Sequence, residues 1–172
     1  MSFKYPIVAM AHYNQWQNDN LIEAADKISD EDRQCDLGAF FSSIEKTFNH
    51  ILWGDKIWLS RFGDFSPPRT TTLSDSLSEG GTWNEFKAER RALDQKAIKW
   101  ATEFDMAKLP SEITWFSKAI NQEISRPTAI LVPHLFNHQT HHRGQIHAML
   151  TRLGQKPSDT DIPFMPNVEN LL

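Results

Sequence analysis

Apolar residues recur every three or four positions along four long stretches of this chain, the spacing of helices that bury one face. The first stretch runs from about Ala9 to Ile28, with Tyr13, Trp16, Leu21, Ile22 and Ala25 as apolar positions. Ser29–Asp30–Glu31–Asp32 then reads as a break and a new helix start. The second stretch runs from about Leu37 to Phe62. Phe40, Phe41, Ile44, Phe48, Ile51, Leu52, Trp58, Leu59 and Phe62 share one side, while Trp53 and Ile57 lie on another. Apolar residues on two faces predict deep burial or a second surface shared with a partner. Gly63 stops this helix, and Pro67–Pro68 prevents a restart.

Residues 64–81 read as a polar loop. Thr82 is then an expected N-cap, completed by Glu85 as a capping box, and a third helix follows to about Phe104. Residues 112–126 alternate briefly and predict a small hairpin or an extended connection. The fourth helix begins between Thr128 and Pro133 and ends near Leu153, with Gly154 just beyond it. Pro133 is comfortable only in a first turn, so the helix starts there or kinks there. The tail, 155–172, is expected to pack irregularly. Four amphipathic helices make an all-α four-helix bundle the expected architecture, with a short extended or hairpin segment before the last long helix and residues 1–172 as one domain.

Composition narrows the function. Six Trp and eleven Phe in 172 residues predict a substantial core. A net charge of −4 without any Lys/Arg block argues against nucleic acid and against an anionic membrane surface. No run approaches a membrane span, and Met1–Met10, with one Lys and no long apolar run, is not expected to be a leader. The single Cys35 permits no internal disulfide and is expected to be a small buried hydrophobe. These features fit the reducing cytoplasm.

The histidines are the informative feature. Five of the seven, His134, His138, His141, His142 and His147, fall within fourteen residues. On a helical wheel His142 falls inside the apolar stripe, His138 at its edge, His134 and His141 further out, and His147 on the far side. An imidazole in an apolar stripe needs a polar partner. A metal shared by His138 and His142, four apart on one face, supplies one. Residues 134–147 contain no Asp or Glu, so another helix must contribute, through His50 or His12. His12 reads as an ordinary helix-start residue. His50 shares a side with Trp53, Ile57 and Arg61, the placing of a residue at a flanking cleft rather than in the deep core. His134 and His141 are candidates for supporting or pocket positions, as are Arg143 and Trp53. Asn49, Asn137, Gln139 and Gln145 can orient ligating imidazoles. The plainer reading is a solvated, His-rich face.

Two segments carry a family resemblance. Asn49–His50–Ile51–Leu52–Trp53–Gly54–Asp55 is one. His134–Leu–Phe–Asn–His138–Gln–Thr–His141–His142–Arg143–Gly144–Gln145 is the other, with Asp159–Thr–Asp–Ile–Pro–Phe–Met165 beyond them. Together they resemble the DinB (damage-inducible) family of four-helix-bundle metalloenzymes. The resemblance implies an up-down-down-up bundle and a divalent transition metal held by His50, His138 and His142; imidazole ligands suit Zn, Ni, Fe or Cu, of which Zn or Ni is expected. It implies a homodimer, which the second apolar face of helix two would suit. It also implies a metal-dependent transferase or isomerase using a low-molecular-weight thiol on a small-molecule substrate, whereas an open metal position that holds water would give a hydrolase. Arg143 or Arg61 would then attract an anionic thiol, although surface salt bridges are the plainer expectation for both. The alternative is a non-enzymatic, dimeric metal-binding stress or structural module.

Overall fold

The computed structural model describes residues 4–118 and 120–171, so the reading of Met1–Met10 lies partly outside it. The described chain is mostly helical. Helices α1 (Lys4–Ala25), α2 (Asp30–Gln34), α3 (Ile44–Phe62), α4 (Trp83–Thr102) and α5 (Thr128–Arg152) are joined by loops and short 3-10 turns. Strands β1 (Glu112–Ser117) and β2 (Gln122–Pro127) form one antiparallel hairpin, with Trp115 opposite Ile124. The all-α expectation therefore needs correction by one two-stranded sheet, and the hairpin alternative is the one realised.

Local chemistry sets the helix ends. The Ser29 side chain accepts from the Asp32 amide and starts α2. Thr82 and Glu85 form the expected capping box at α4. At the end of α5, Gly154 takes φ +79°. The Gln155 amide then donates to the Leu150 carbonyl and the Gly154 amide to that of Thr151, a Schellman closure.

Two boundaries differ from expectation. The first helix spans Lys4–Ala25 rather than 9–28. The second long helix begins at Ile44, not near Leu37, because the Ser43 side chain accepts from the Lys46 amide and Ser42 sits at φ +61°. Phe40, counted in the inner stripe, is 77% exposed, whereas Phe41 is buried. Pro133 lies inside α5 rather than in its first turn. The carbonyl that loses its helical donor belongs to Ala129, an exposed residue that water can reach.

The four long helices are neighbours in a ring, α1 to α4, α4 to α3, α3 to α5 and α5 to α1. Their apolar faces build two clusters. One gathers Ile7, Leu59, Ala101, Ile113 and Leu135, and the other Leu21, Leu52, Phe86 and Ile146. From their first residues to their last, α1 and α5 run from the first cluster to the second, and α3 and α4 run back. A buried polar layer separates the clusters, one turn from every long helix. Asn18 and Arg90 both donate to Asp94, and Arg90 also pairs with Asp55. Arg143 donates to Gln139 at 2.8 Å. Two arginines and two aspartates balance in charge there, as burial of ions requires.

Candidate metal centre

The packing of α3 on α5 creates the site. A Cβ at Gly54 would stand 2.8 Å from Cε1 of His138, so the absent side chain lets that ring lie against α3. One nitrogen from each of His50, His138 and His142 falls within a single group, all within 4.8 Å of one another. The ring centroids are 5.1 Å apart for His50–His138, 4.8 Å for His50–His142 and 4.6 Å for His138–His142. Nε2 of His50 and Nε2 of His138 are 3.2 Å apart.

Hydrogen bonds decide which nitrogens are bare. The Ser76 hydroxyl donates to the Leu73 carbonyl at 2.6 Å. It can then only accept from Nδ1–H of His50, 3.2 Å away. Nδ1 of His142 meets the side-chain oxygen of Gln145 at 2.8 Å, again an acceptor. Both rings therefore carry their proton on Nδ1 and present a bare Nε2. Nδ1 of His138 is buried without a hydrogen-bond partner among the described residues. Burial also lowers the pKa of all three, to about 4 for His50 and about 3 for His138, with the neighbouring imidazoles adding to the effect. Neutral rings with free lone pairs are what metal ligation requires. Two nitrogens about 2.0–2.1 Å from a tetrahedral zinc stand roughly 3.3 Å apart, close to the observed Nε2 separation. The residues present thus fit a divalent transition metal.

The surroundings hold the rings in place. Phe41 covers them, its ring 4.0 Å from that of His50 and 5.4 Å from that of His142. Ser76 is held by the loop 64–81, which Glu79 ties down. This buried carboxylate accepts from Lys56, the amides of Arg69 and Thr70, and the Thr70 hydroxyl. Burial pushes the Glu79 pKa up, but those donors outweigh it and hold the group below its ordinary value. A cavity of about 800 Å³ opens beside the cluster, between α3, α5, the loop and the hairpin.

The other sequence-predicted residues separate. His134 and Trp53 line the large cavity, where the Trp58 ring lies 5.0 Å from that of His134. His141 is exposed, its ring 4.8 Å from that of His142. Arg143 faces away, buried over Tyr13 beside a smaller cavity of about 330 Å³ that His147 also lines. Burial lowers its pKa to about 10. Neither Arg143 nor Arg61 forms a salt bridge among the described residues, so the surface-pair expectation fails for both. His50 is only 5% exposed, more deeply buried than a cleft residue, and it is His138 that borders the cavity. Cys35 is half-buried, its thiol donating to the Asp32 carbonyl at 3.2 Å. Sequence reasoning missed Ser76 and Phe41. The Ser42–Ser43 pair was the available signal that the chain turns before α3, which would have freed Phe41 from the helical stripe.

A helical chain in which α3 and α5 converge three neutral imidazoles is a protein with a candidate three-histidine metal centre. The chain belongs to the DinB family, whose model matches residues 1–170. It is similar to Protein DinB of Bacillus subtilis (strain 168), with 25% identity over 152 residues covering 87% of each chain. No solved structure matches it.

Proposed function

We propose that the chain is a metal-dependent enzyme on a DinB-type, up-down-down-up four-helix bundle, with His50, His138 and His142 as ligands. The observation that carries this reading is that the three converging imidazoles stand beside an open cavity of about 800 Å³, which His138 borders, so the cluster reaches open space through that ring. Zn or Ni suits the donor set. When bound, such a metal supplies the Lewis acidity that makes a small thiol or a water a better nucleophile at neutral pH. Ser76 and Gln145 orient two of the ligands. Phe41 excludes water from one side, and His134 stands in the cavity wall to accept a proton. Transfer using a low-molecular-weight thiol is favoured over hydrolysis on family grounds.

A second reading, a non-enzymatic metal-binding module, is favoured by one observation: no Asp or Glu among the described residues lines the cavity, and burial lowers the pKa of His134, the base left to it. With either reading goes a cytoplasmic homodimer. No helix of the described residues is long and apolar enough to cross a membrane. Trp53 and Ile57, the second apolar face of α3, line the cavity, so a dimer would draw on exposed residues such as Phe40, Ile130 and Phe164.

The test is elemental analysis of the wild type and of a folded His138→Ala/His142→Ala variant. About one metal per chain, lost in the variant, supports the site, and a screen of small thiols with electrophiles then separates enzyme from module. A wild type that takes up no Zn or Ni after incubation overturns both readings.

A further inference from the structure

Arg61 occupies an unusual position. It lies eleven residues beyond His50 on α3, which returns it to the same face roughly 16 Å further along the axis. Its guanidinium sits 4.7 Å from the centroid of Trp58 and 4.9 Å from that of Trp115, two rings set at 83° to each other. The arginine is half-buried, and it has neither an ion pair nor a side-chain hydrogen bond among the described residues. Burial lowers its pKa, the mark of a cation partly removed from water without compensation.

The chemistry of the wall points the same way. Arg61 and Lys118 are its cations, and no Asp or Glu among the described residues accompanies them. Trp53, Trp58 and Trp115 supply flat apolar surface, and His134 and His138 lead from the tryptophans to the candidate metal centre, with their rings 5.8 Å apart. Cation–π contacts orient a guanidinium but leave its N–H donors free. A planar fork of free donors in a partly desolvated, aromatic pocket matches a carboxylate.

We propose that this cavity is a binding site for a small organic carboxylate with an apolar or aromatic body. Its carboxylate is held by Arg61 and its body lies against the three tryptophans. This inference rests on the reading of the neighbouring histidines only for the purpose of the site. The binding itself requires no metal.

The test uses 3-phenylpropionate and its neutral counterpart 3-phenyl-1-propanol as probes, titrated against the intrinsic tryptophan fluorescence. It is run on metal-free and metal-loaded full-length wild type, Arg61→Gln and Arg61→Lys. A charge-assisted pair predicts a preference for the carboxylate of about tenfold or more in the wild type, with and without metal. Arg61→Gln removes the preference while retaining the alcohol's affinity, and Arg61→Lys keeps part of it. A wild type that binds neither probe, or binds both equally, overturns the proposal. So does a preference that survives Arg61→Gln. If that surviving preference vanishes on metal removal, the carboxylate sits on the metal instead. Metal content, measured on the same samples, fails only if the three-histidine reading fails.

Discussion

The Ser76 hydroxyl accepts from Nδ1 of His50 because its own proton is committed to the Leu73 carbonyl. A loop residue distant in sequence thereby chooses the tautomer of a helix residue and leaves Nε2 bare toward His138. Replacing Ser76 by Ala should weaken metal affinity about 10–100-fold, the usual effect of removing such a support, without loss of helix content. Competition against a chromophoric chelator measures it. Unchanged affinity would show that packing by Phe41 alone orients the ring.

Gly54 permits the α3–α5 approach at His138. Gly54→Ala should displace that imidazole, since the new methyl would stand 2.8 Å from Cε1. Alanine favours the helix by about 1 kcal/mol relative to glycine, so thermal stability should fall little while metal stoichiometry drops. A variant that keeps full stoichiometry would mean the ring can swing aside and still reach the cluster.

The metal-free protein should lose stability in mild acid. Imidazoles of the unfolded chain titrate near pH 6.5. Burial, with the neighbouring histidines, holds His50 near 4 and His138 near 3 in the folded state. Between those limits the unfolded chain binds protons that the native one refuses. The contribution is therefore full above pH 6.5 and declines as pH falls toward 3, by roughly 3 kcal/mol for His50 alone. Urea midpoints at pH 7.5 and 4.5 should differ less in His50→Gln than in the wild type, and an equal difference in the two would contradict this account.

Arg90 stands between Asp55 and Asp94 in the polar layer. Arg90→Met leaves two buried carboxylates without their cation and should cost about 3–5 kcal/mol. Adding Asp55→Asn and Asp94→Asn should restore part of the loss. Denaturant unfolding of the three proteins checks both steps.

Much of this was legible in one dimension because the physics involved is local. A threonine three residues before a glutamate starts a helix whatever surrounds it, as Thr82 and Glu85 do. His138 and His142 share a helical face by spacing alone. The break before α3 was harder, because Phe40 and Phe41 continue the apolar period across Ser42–Ser43 and periodicity cannot see a φ of +61°. The hairpin of residues 112–127 was half-legible, since alternation predicts extension but not the partner strand.

By itself the sequence determined the helices, their caps and the pair of imidazoles on α5, all of which depend on residues a few positions apart. The family resemblance named His50 as their partner, but only the tertiary structure decided how closely it meets that pair, that Ser76 sets the His50 proton, that four helices meet in a charged layer, and that Arg61, in an aromatic wall, has no carboxylate partner among the described residues. Each of these depends on groups dozens of residues apart. Their pairing follows from how the helices pack and from the cost of burying polar groups unpaired, which no spacing along the chain encodes.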